Sequence, residues 1–257
     1  MSIYIAIIGI DGSGKSTCFN ETLKKFSKEK FVAGIGDEIL LSDENKILYE
    51  KDDIPWTATK KFLGDISKKY KNKTLYQITK FAELLCRVKI QQIIMNRYKP
   101  EFILTDGSPL INVLGWGGSF YYPQHFESAQ CIKCINYLCQ KKKIPLSEIG
   151  FYIRHIPGIF LVNRFKLAKF SIPDIIVFLN IKPENAIARI LKRGKELQLH
   201  ETKSFLDNLQ KTYITVCNII SAKFGSKVIK IQADELSVED TVAMIIKHTR
   251  SLKNERY

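Results

Sequence analysis

The chain has 257 residues, 45% of them hydrophobic, and its 40 lysines and arginines outnumber its 26 aspartates and glutamates, which gives a net charge of +14. This length fits one large α/β domain or two small ones, and the apolar content suffices for a full core. Apolar runs stop short of the roughly 20 residues that a transmembrane helix needs, and the amino terminus lacks the basic start and cleavage site of a signal peptide, so we expect a cytoplasmic protein with no membrane partner.

The first predicted strand, over 3–8, runs directly into the glycine-rich sequence G-I-D-G-S-G-K-S-T at 9–17. This sequence fits the phosphate-binding loop G-x-x-x-x-G-K-[ST], which requires a strand before it and a helix after it. We therefore predict that Lys15 starts a helix and reaches the β- and γ-phosphates of ATP, while the Ser16 hydroxyl ligates Mg²⁺. The predicted nucleotide-binding residues are Gly9, Gly12, Ser13, Gly14, Lys15, Ser16 and Thr17.

Apolar patterning predicts four more strands and six helices along the chain. The strands cover 31–41, 101–106, 174–181 and 227–232. The helices cover 15–26, 75–97, 126–141, 184–193, 202–224 and 238–251. Charged, irregular sequence separates the second strand from the second helix, and no linker divides the chain. Because strands alternate with helices, we predict an α/β P-loop NTPase fold: one domain over 1–257 with a five-stranded parallel sheet flanked by helices.

The helix predicted over 126–141 carries Cys131 and Cys134 in a C-x-x-C spacing. No second pair follows at zinc-site spacing, and no thioredoxin-like strand precedes this pair. The favoured interpretation is that both cysteines pack in the core, with a metal site as the weaker alternative. The cysteine pattern as a whole fits a reduced, cytosolic chain.

Four parts of the sequence together resemble the thymidylate kinase family of nucleoside monophosphate kinases. They lie at 7–17, at 81–87 with 103–109, at 173–186 with 189–196, and at 205–213. The likeness spans most of the chain, is weakest over 118–172, and is most specific in the first and third parts. It implies ATP as the phosphoryl donor, Mg²⁺ as the metal, dTMP or a related (deoxy)nucleotide as the acceptor, and a lid segment at about 189–201.

Basic residues cluster around Gly194 in this lid segment: Arg189, Lys192, Arg193 and Lys195. Positions 10–13 of the phosphate-binding loop carry no basic residue, so a cation that stabilises the transferred phosphoryl group must come from elsewhere. The resemblance assigns this role to lid arginines, and we therefore predict that Arg189 and Arg193 are catalytic. The alternative is an exposed helix whose cations are solvated.

Asp106 ends the strand predicted over 101–106, at the edge of an open α/β sheet where ligands bind. A carboxylate in this position holds Mg²⁺ or orients the acceptor, so we predict a catalytic role for Asp106 and a metal-binding role beside Ser16. The alternative is a turn or helix-cap aspartate. The resembling family has Asp-Arg here, whereas this chain has Gly107, which leaves the identity of the acceptor open.

Two further side chains are predicted to meet the acceptor. By resemblance, Asp11 meets the acceptor sugar and Arg87 meets its phosphate or its base. The alternatives are a loop-capping role for Asp11 and an i,i+4 ion pair between Arg87 and Glu83.

The favoured function is therefore a nucleoside monophosphate kinase, and three alternatives stay open. A deoxynucleoside kinase would need a carboxylate base near the second strand, where only Asp37 and Glu38 offer one. A nucleic-acid end kinase or another polyanion-binding ATPase would use the positive charge, although the lysines are spread along the chain. A catalytically idle regulator would bind ATP without acceptor-dependent release of ADP. The sequence also leaves a homodimer open.

Overall fold

The computed structural model describes residues 2–28, 30–44, 46–50, 54–70, 72–117, 128–192 and 201–256. The strands are β1 (Ile3–Ile8), β2 (Val32–Ile35), β3 (Ile39–Asp43), β4 (Lys46–Glu50), β5 (Phe102–Asp106), β6 (Ile175–Asn180) and β7 (Lys227–Gln232). The helices are α1 (Lys15–Ser27), α2 (Thr57–Lys69), α3 (Lys73–Ile93), α4 (Pro109–Trp116), α5 (Ser128–Leu138), α6 (Ile149–His155), α7 (Pro157–Phe165), α8 (Pro183–Leu191), α9 (Lys203–Phe224) and α10 (Val238–Arg256). A π-helical turn, Ile94–Tyr98, follows α3, and a 3-10 turn, Leu146–Glu148, precedes α6.

Within the described residues the strands form one sheet in the order β4-β3-β2-β5-β1-β6-β7. The run from β2 to β7 in this order is a five-stranded parallel sheet, as predicted. An antiparallel hairpin of β3 and β4 extends the sheet beyond β2. The α/β prediction is therefore confirmed, and the predicted strand count is two too low.

Of the two strands that were not predicted, β4 lies in the segment that the sequence marked as charged and irregular, whereas β3 begins after a turn inside the strand predicted over 31–41. Gly36 donates its backbone N–H to the carbonyl of Glu38 at 3.0 Å, and Ile35 pairs with Ile39 across the turn. A side chain at Gly36 would bring its Cβ within 2.9 Å of the Phe19 ring on α1, so the turn lies directly against that helix. Apolar residues flank the turn on both sides, and the sequence therefore reads as one interrupted strand.

The strand β1 lies in the centre of the sheet and is buried along its whole length. Its side chains alternate between the two faces, as the pleat of a strand requires. Ile5 packs in a cluster with α1 and α10, whereas Ala6 packs in the larger cluster that includes residues of α3, α5 and α9. Both faces are thus covered by helices, and β1 is a rigid base for the loop that follows it.

Two regions that sequence patterning left undefined are helical. The helix α2 spans a segment in which only short helical pieces were expected, and α6 and α7 occupy the segment after the helix predicted over 126–141, which is α5. Pro157 begins α7, a position where proline needs no backbone hydrogen bond. Cys131 and Cys134 on α5 are fully buried in the core, as the packing interpretation predicts. Among the described helices, none is long and apolar enough to cross a bilayer.

Candidate nucleotide-binding site

The loop between β1 and α1 has the backbone shape that a phosphate-binding loop requires. Gly12 and Gly14 both have positive φ, at 83° and 91°, a conformation that side chains rarely adopt. A Cβ at Gly12 would lie 2.5 Å from the Ala186 carbonyl oxygen on α8, and one at Gly9 would lie 2.7 Å from the Leu179 carbonyl oxygen. The glycines therefore permit a tight loop that packs against the segment leading to the predicted lid.

Polar groups of this loop point to an anionic ligand. The Ser13 side chain is 2% exposed, and its hydroxyl has no hydrogen-bond partner within the described part of the chain. Lys15 folds back and donates to the Ile10 carbonyl at 2.9 Å and to Asp11 Oδ1 at 3.3 Å. A phosphate chain in the loop would give Ser13 a partner and compete with Asp11 for the ammonium group, so these residues fit ATP.

A cavity of about 270 Å³, hereafter the central cavity, opens between this loop, α3 and the end of β5. Register places Asp106 opposite Ile7, at the edge where β1 enters the glycine-rich loop. Ser16 and Asp106 both line the cavity. A hydroxyl and a carboxylate are hard oxygen ligands, and this donor set fits Mg²⁺ bound beside a nucleotide phosphate. The structure thus brings the two predicted metal-binding residues to one place.

Arg87 reaches this cavity from α3. Its Nη1 donates to the backbone carbonyl of Asp106 at 3.2 Å, and its Nη2 lies 3.8 Å from Asp37 Oδ1. Gly107, where the resembling family has arginine, has φ of 80° and donates its backbone N–H to the Ile7 carbonyl at 2.8 Å. The guanidinium beside Asp106 therefore comes from a helix and not from the end of the strand.

Glu83 connects the cations of α3 into one buried network, the Glu83 triad, which consists of Lys80, Glu83 and Arg87. Glu83 is 4% exposed and accepts hydrogen bonds from Lys80 Nζ at 2.6 Å and from Arg87 Nε at 3.1 Å. Burial alone would raise the pKa of Glu83, but the charges and hydrogen bonds of Arg87 and Lys80 outweigh it and hold the pKa below its usual value. Glu83 is therefore ionised at neutral pH and keeps both cations engaged.

Sequence patterning missed the triad as a unit. Its residues have i,i+3 and i,i+4 spacing on α3, which signals helix-surface pairs of small energy. The burial that makes the triad strong comes from the packing of α2 against α3, which residue spacing does not reveal. Trp116 also lines the central cavity, at the end of α4, and only its aromatic character marked it in the sequence.

The predicted lid residues are only partly described. Arg189 donates to the Ala233 carbonyl at 3.0 Å and lies 4.0 Å from Asp234 Oδ1, so it ties α8 to the loop after β7. It is one helical turn from Ala186, which touches the glycine-rich loop. Arg193 and residues 194–200 lie outside the described residues. The catalytic roles of Arg189 and Arg193 therefore stay predictions.

Comparison with known proteins finds no matching family model and no matching curated sequence. Solved structures do match. One is a deoxyadenosine kinase from M. mycoides with bound dCTP, at 20% identity and a TM-score of 0.50, over 97% of this chain and 100% of that chain. The chain therefore has the same α/β fold as that structure. This likeness does not support the narrower resemblance to thymidylate kinases.

Two further structures of that enzyme also match, with dCMP and a flexible dCDP bound, and with bound dATP. Each is 19% identical with a TM-score of 0.49; they cover 97% and 96% of this chain, respectively, and 100% of their own.

Proposed function

We propose that this protein is a nucleoside kinase, which transfers the γ-phosphoryl group of ATP to a hydroxyl of a (deoxy)nucleoside. The proposal replaces dTMP, the acceptor expected from the sequence, with an acceptor that carries no phosphate. It keeps the donor site, ATP and Mg²⁺ as predicted.

The carboxylate of Asp37 is the observation that carries the proposal. Ile35 pairs with Thr105 across neighbouring parallel strands, so Asp37 and Asp106 leave β2 and β5 at the same edge of the sheet. Asp37 lines the central cavity together with Lys15 and Ser16. Its side chain is fully exposed there, close enough to Arg87 for an ion pair. A hydroxyl acceptor must lose a proton as it attacks phosphorus, and a solvated carboxylate at this edge is a suitable base.

The charges around the cavity favour a neutral acceptor. Among the described lining residues, the three cations Lys15, Lys80 and Arg87 face the four carboxylates of Asp11, Asp37, Glu83 and Asp106. Both α3 cations are held by Glu83, and Lys15 belongs to the donor site. A monophosphate acceptor would add two negative charges to a cavity whose cations already have carboxylate partners. A nucleoside avoids this repulsion.

The proposal gives each of these groups a role. Backbone N–H groups of the glycine-rich loop and Lys15 hold the ATP phosphates, and Mg²⁺ held by Ser16 and Asp106 would supply further positive charge against them. Asp37 takes the proton of the acceptor hydroxyl. The hydroxyl oxygen bonds to the γ-phosphorus as the bond between that phosphorus and the β,γ-bridging oxygen breaks, and ADP leaves with the bridging oxygen. Arg87, fixed by Glu83, orients Asp37. The deoxyadenosine kinase with the same fold, which acts on a nucleoside, supports this choice of acceptor.

A coupled ADP-release assay over all common nucleosides, deoxynucleosides and their monophosphates tests the proposal. We expect turnover with at least one nucleoside and none above background with its monophosphate. Turnover with monophosphates alone would restore the original acceptor class. ATP binding without acceptor-dependent ADP release would indicate a regulator, and turnover only with DNA or RNA ends, steeply reduced by salt, would indicate a nucleic-acid kinase.

A further inference from the structure

The side chain of Lys60, on α2, is buried although it carries a charge. It is 3% exposed. Lysine is almost never fully buried unless its ammonium group has partners, because removing the charge from water is unfavourable. The next residue, Lys61, is exposed. The burial of Lys60 therefore reflects specific contacts and not the general packing of lysines on this helix.

Those contacts are with the turn that carries Asp37. Lys60 Nζ donates to the carbonyl oxygen of Gly36 at 2.7 Å and to that of Asp37 at 2.6 Å. Both bonds are short, as expected for a charged donor. The same turn is pressed against the Phe19 ring, where Gly36 has no room for a side chain. The turn is thus fixed from α1 by packing and from α2 by one ammonium group.

We infer that Lys60 is a positioning residue of the phosphoryl-transfer site, which clamps the β2–β3 turn so that the Asp37 carboxylate faces the acceptor hydroxyl. The inference rests on the proposed function for the role of Asp37. The clamp itself rests on the two carbonyl contacts alone. Arg87 approaches the carboxylate of Asp37 while Lys60 holds its backbone, so two helices determine the position of one turn.

The clamp has a titratable component. Burial lowers the pKa of Lys60 to about 8, and the nearby Arg87 adds to the lowering. Three carboxylates oppose it: Asp37 and Glu38 on the turn and Glu83 on α3. Below this pKa the ammonium group holds both carbonyls with charge-assisted bonds. Above it the neutral amine makes weaker bonds, so the maximal rate is expected to fall as pH rises through about 8.

The first test measures kcat and KM for wild type, Lys60→Met and Lys60→Arg between about pH 6.5 and 9.5, with Lys61→Met as the exposed control. We expect Lys60→Met to lose about 10- to 100-fold in kcat, with the KM for ATP unchanged, because the displaced group is the base and not the donor site. Lys60→Arg should keep more activity than Lys60→Met and lose the alkaline decline. A flat wild-type profile across pH 8, or a Lys60→Met enzyme as active as Lys61→Met, would overturn the inference.

The second test is independent of the acceptor. Hydrogen–deuterium exchange of the peptide that contains residues 36–38 is compared in the same variants at neutral pH. The clamp predicts faster exchange in Lys60→Met and unchanged exchange in Lys61→Met. Faster exchange in a protein that phosphorylates no nucleoside would retain the clamp and reject the proposed function. Unchanged exchange in Lys60→Met together with full nucleoside turnover would reject the clamp and retain the proposed function.

Discussion

The Glu83 triad offers a substitution whose effect can be worked out from its geometry. In Glu83→Gln the amide oxygen can still accept from Arg87, but the amide N–H₂ would face the ammonium group of Lys80, which now lies 2.6 Å from a carboxylate oxygen. The variant therefore loses one strong hydrogen bond and the negative charge that, among the described residues, Lys80 and Arg87 share. Both cations are mostly buried, at 18% and 16% side-chain exposure, so water compensates little.

Removal of one partner from a buried ion pair costs about 3–5 kcal/mol. Because the Arg87 contact survives in part, we expect the free energy of unfolding to fall by about 3 kcal/mol, which lowers Tm by roughly 6–12 °C for a protein of this size. The pKa of Glu83 is held below its usual value, so its stabilisation is present above the ordinary glutamate pKa, about 4.3, and is lost as pH falls through the lowered value. The difference in the free energy of unfolding between variant and wild type should therefore become small at acidic pH.

Thermal unfolding of Glu83→Gln and of a matched control, Glu184→Gln, measures this effect. Glu184 also pairs with a lysine, Lys203, at 2.7 Å, but both side chains are mostly exposed. The control should therefore have the same Tm as the wild type. Release of Lys80 and Arg87 should also tighten binding of a nucleoside monophosphate to the variant. Equal Tm values for the two variants would refute the reasoning, because they would show that Glu83 is not a buried ion-pair partner.

The remaining predictions concern the donor site, the lid and the cysteines. Lys15→Ala should abolish turnover and leave Tm unchanged, and retained activity would remove the phosphate-loop mechanism. Gly12→Ala should weaken ATP binding in calorimetry, because its Cβ would lie 2.5 Å from the Ala186 carbonyl oxygen at a φ of 83°; normal binding would contradict the loop geometry. Arg193→Ala should lower kcat more than ATP affinity, and equal losses would argue against a transition-state role. Burial raises the pKa of all six cysteine thiols, to about 12 for Cys131, so alkylation near pH 8 should be slow in the folded protein and fast in denaturant.

The donor half of the site was predictable from the sequence because it is local. A β-branched strand, a glycine-rich loop and the start of α1 are contiguous, and the glycines at positions 12 and 14 mark where φ must be positive. The parallel part of the sheet was predictable for a similar reason, since each buried strand shows as an apolar run. Strand β1 and strand β7 have the predicted bounds.

The acceptor half was not predictable in the same way, because it is assembled from four distant segments. Asp37 lies in a turn that sequence patterning placed inside a strand, and Lys60 lies in a segment where only short helical pieces were expected. The burial of Glu83 depends on the contact between α2 and α3. The absence of an arginine after Asp106 marked this half as unusual. Only the fold shows that Arg87, from α3, donates to the backbone carbonyl of Asp106.

The central claim is that a carboxylate at the end of β2 accepts the proton of a nucleoside hydroxyl. Turnover of the preferred nucleoside by Asp37→Asn, measured beside Glu38→Gln from the same exposed turn, tests it most directly. We expect Asp37→Asn to lose about 10²- to 10⁴-fold in kcat with ATP affinity intact, and Glu38→Gln to remain close to wild type. An Asp37→Asn enzyme that phosphorylates the nucleoside as fast as Glu38→Gln would contradict the account.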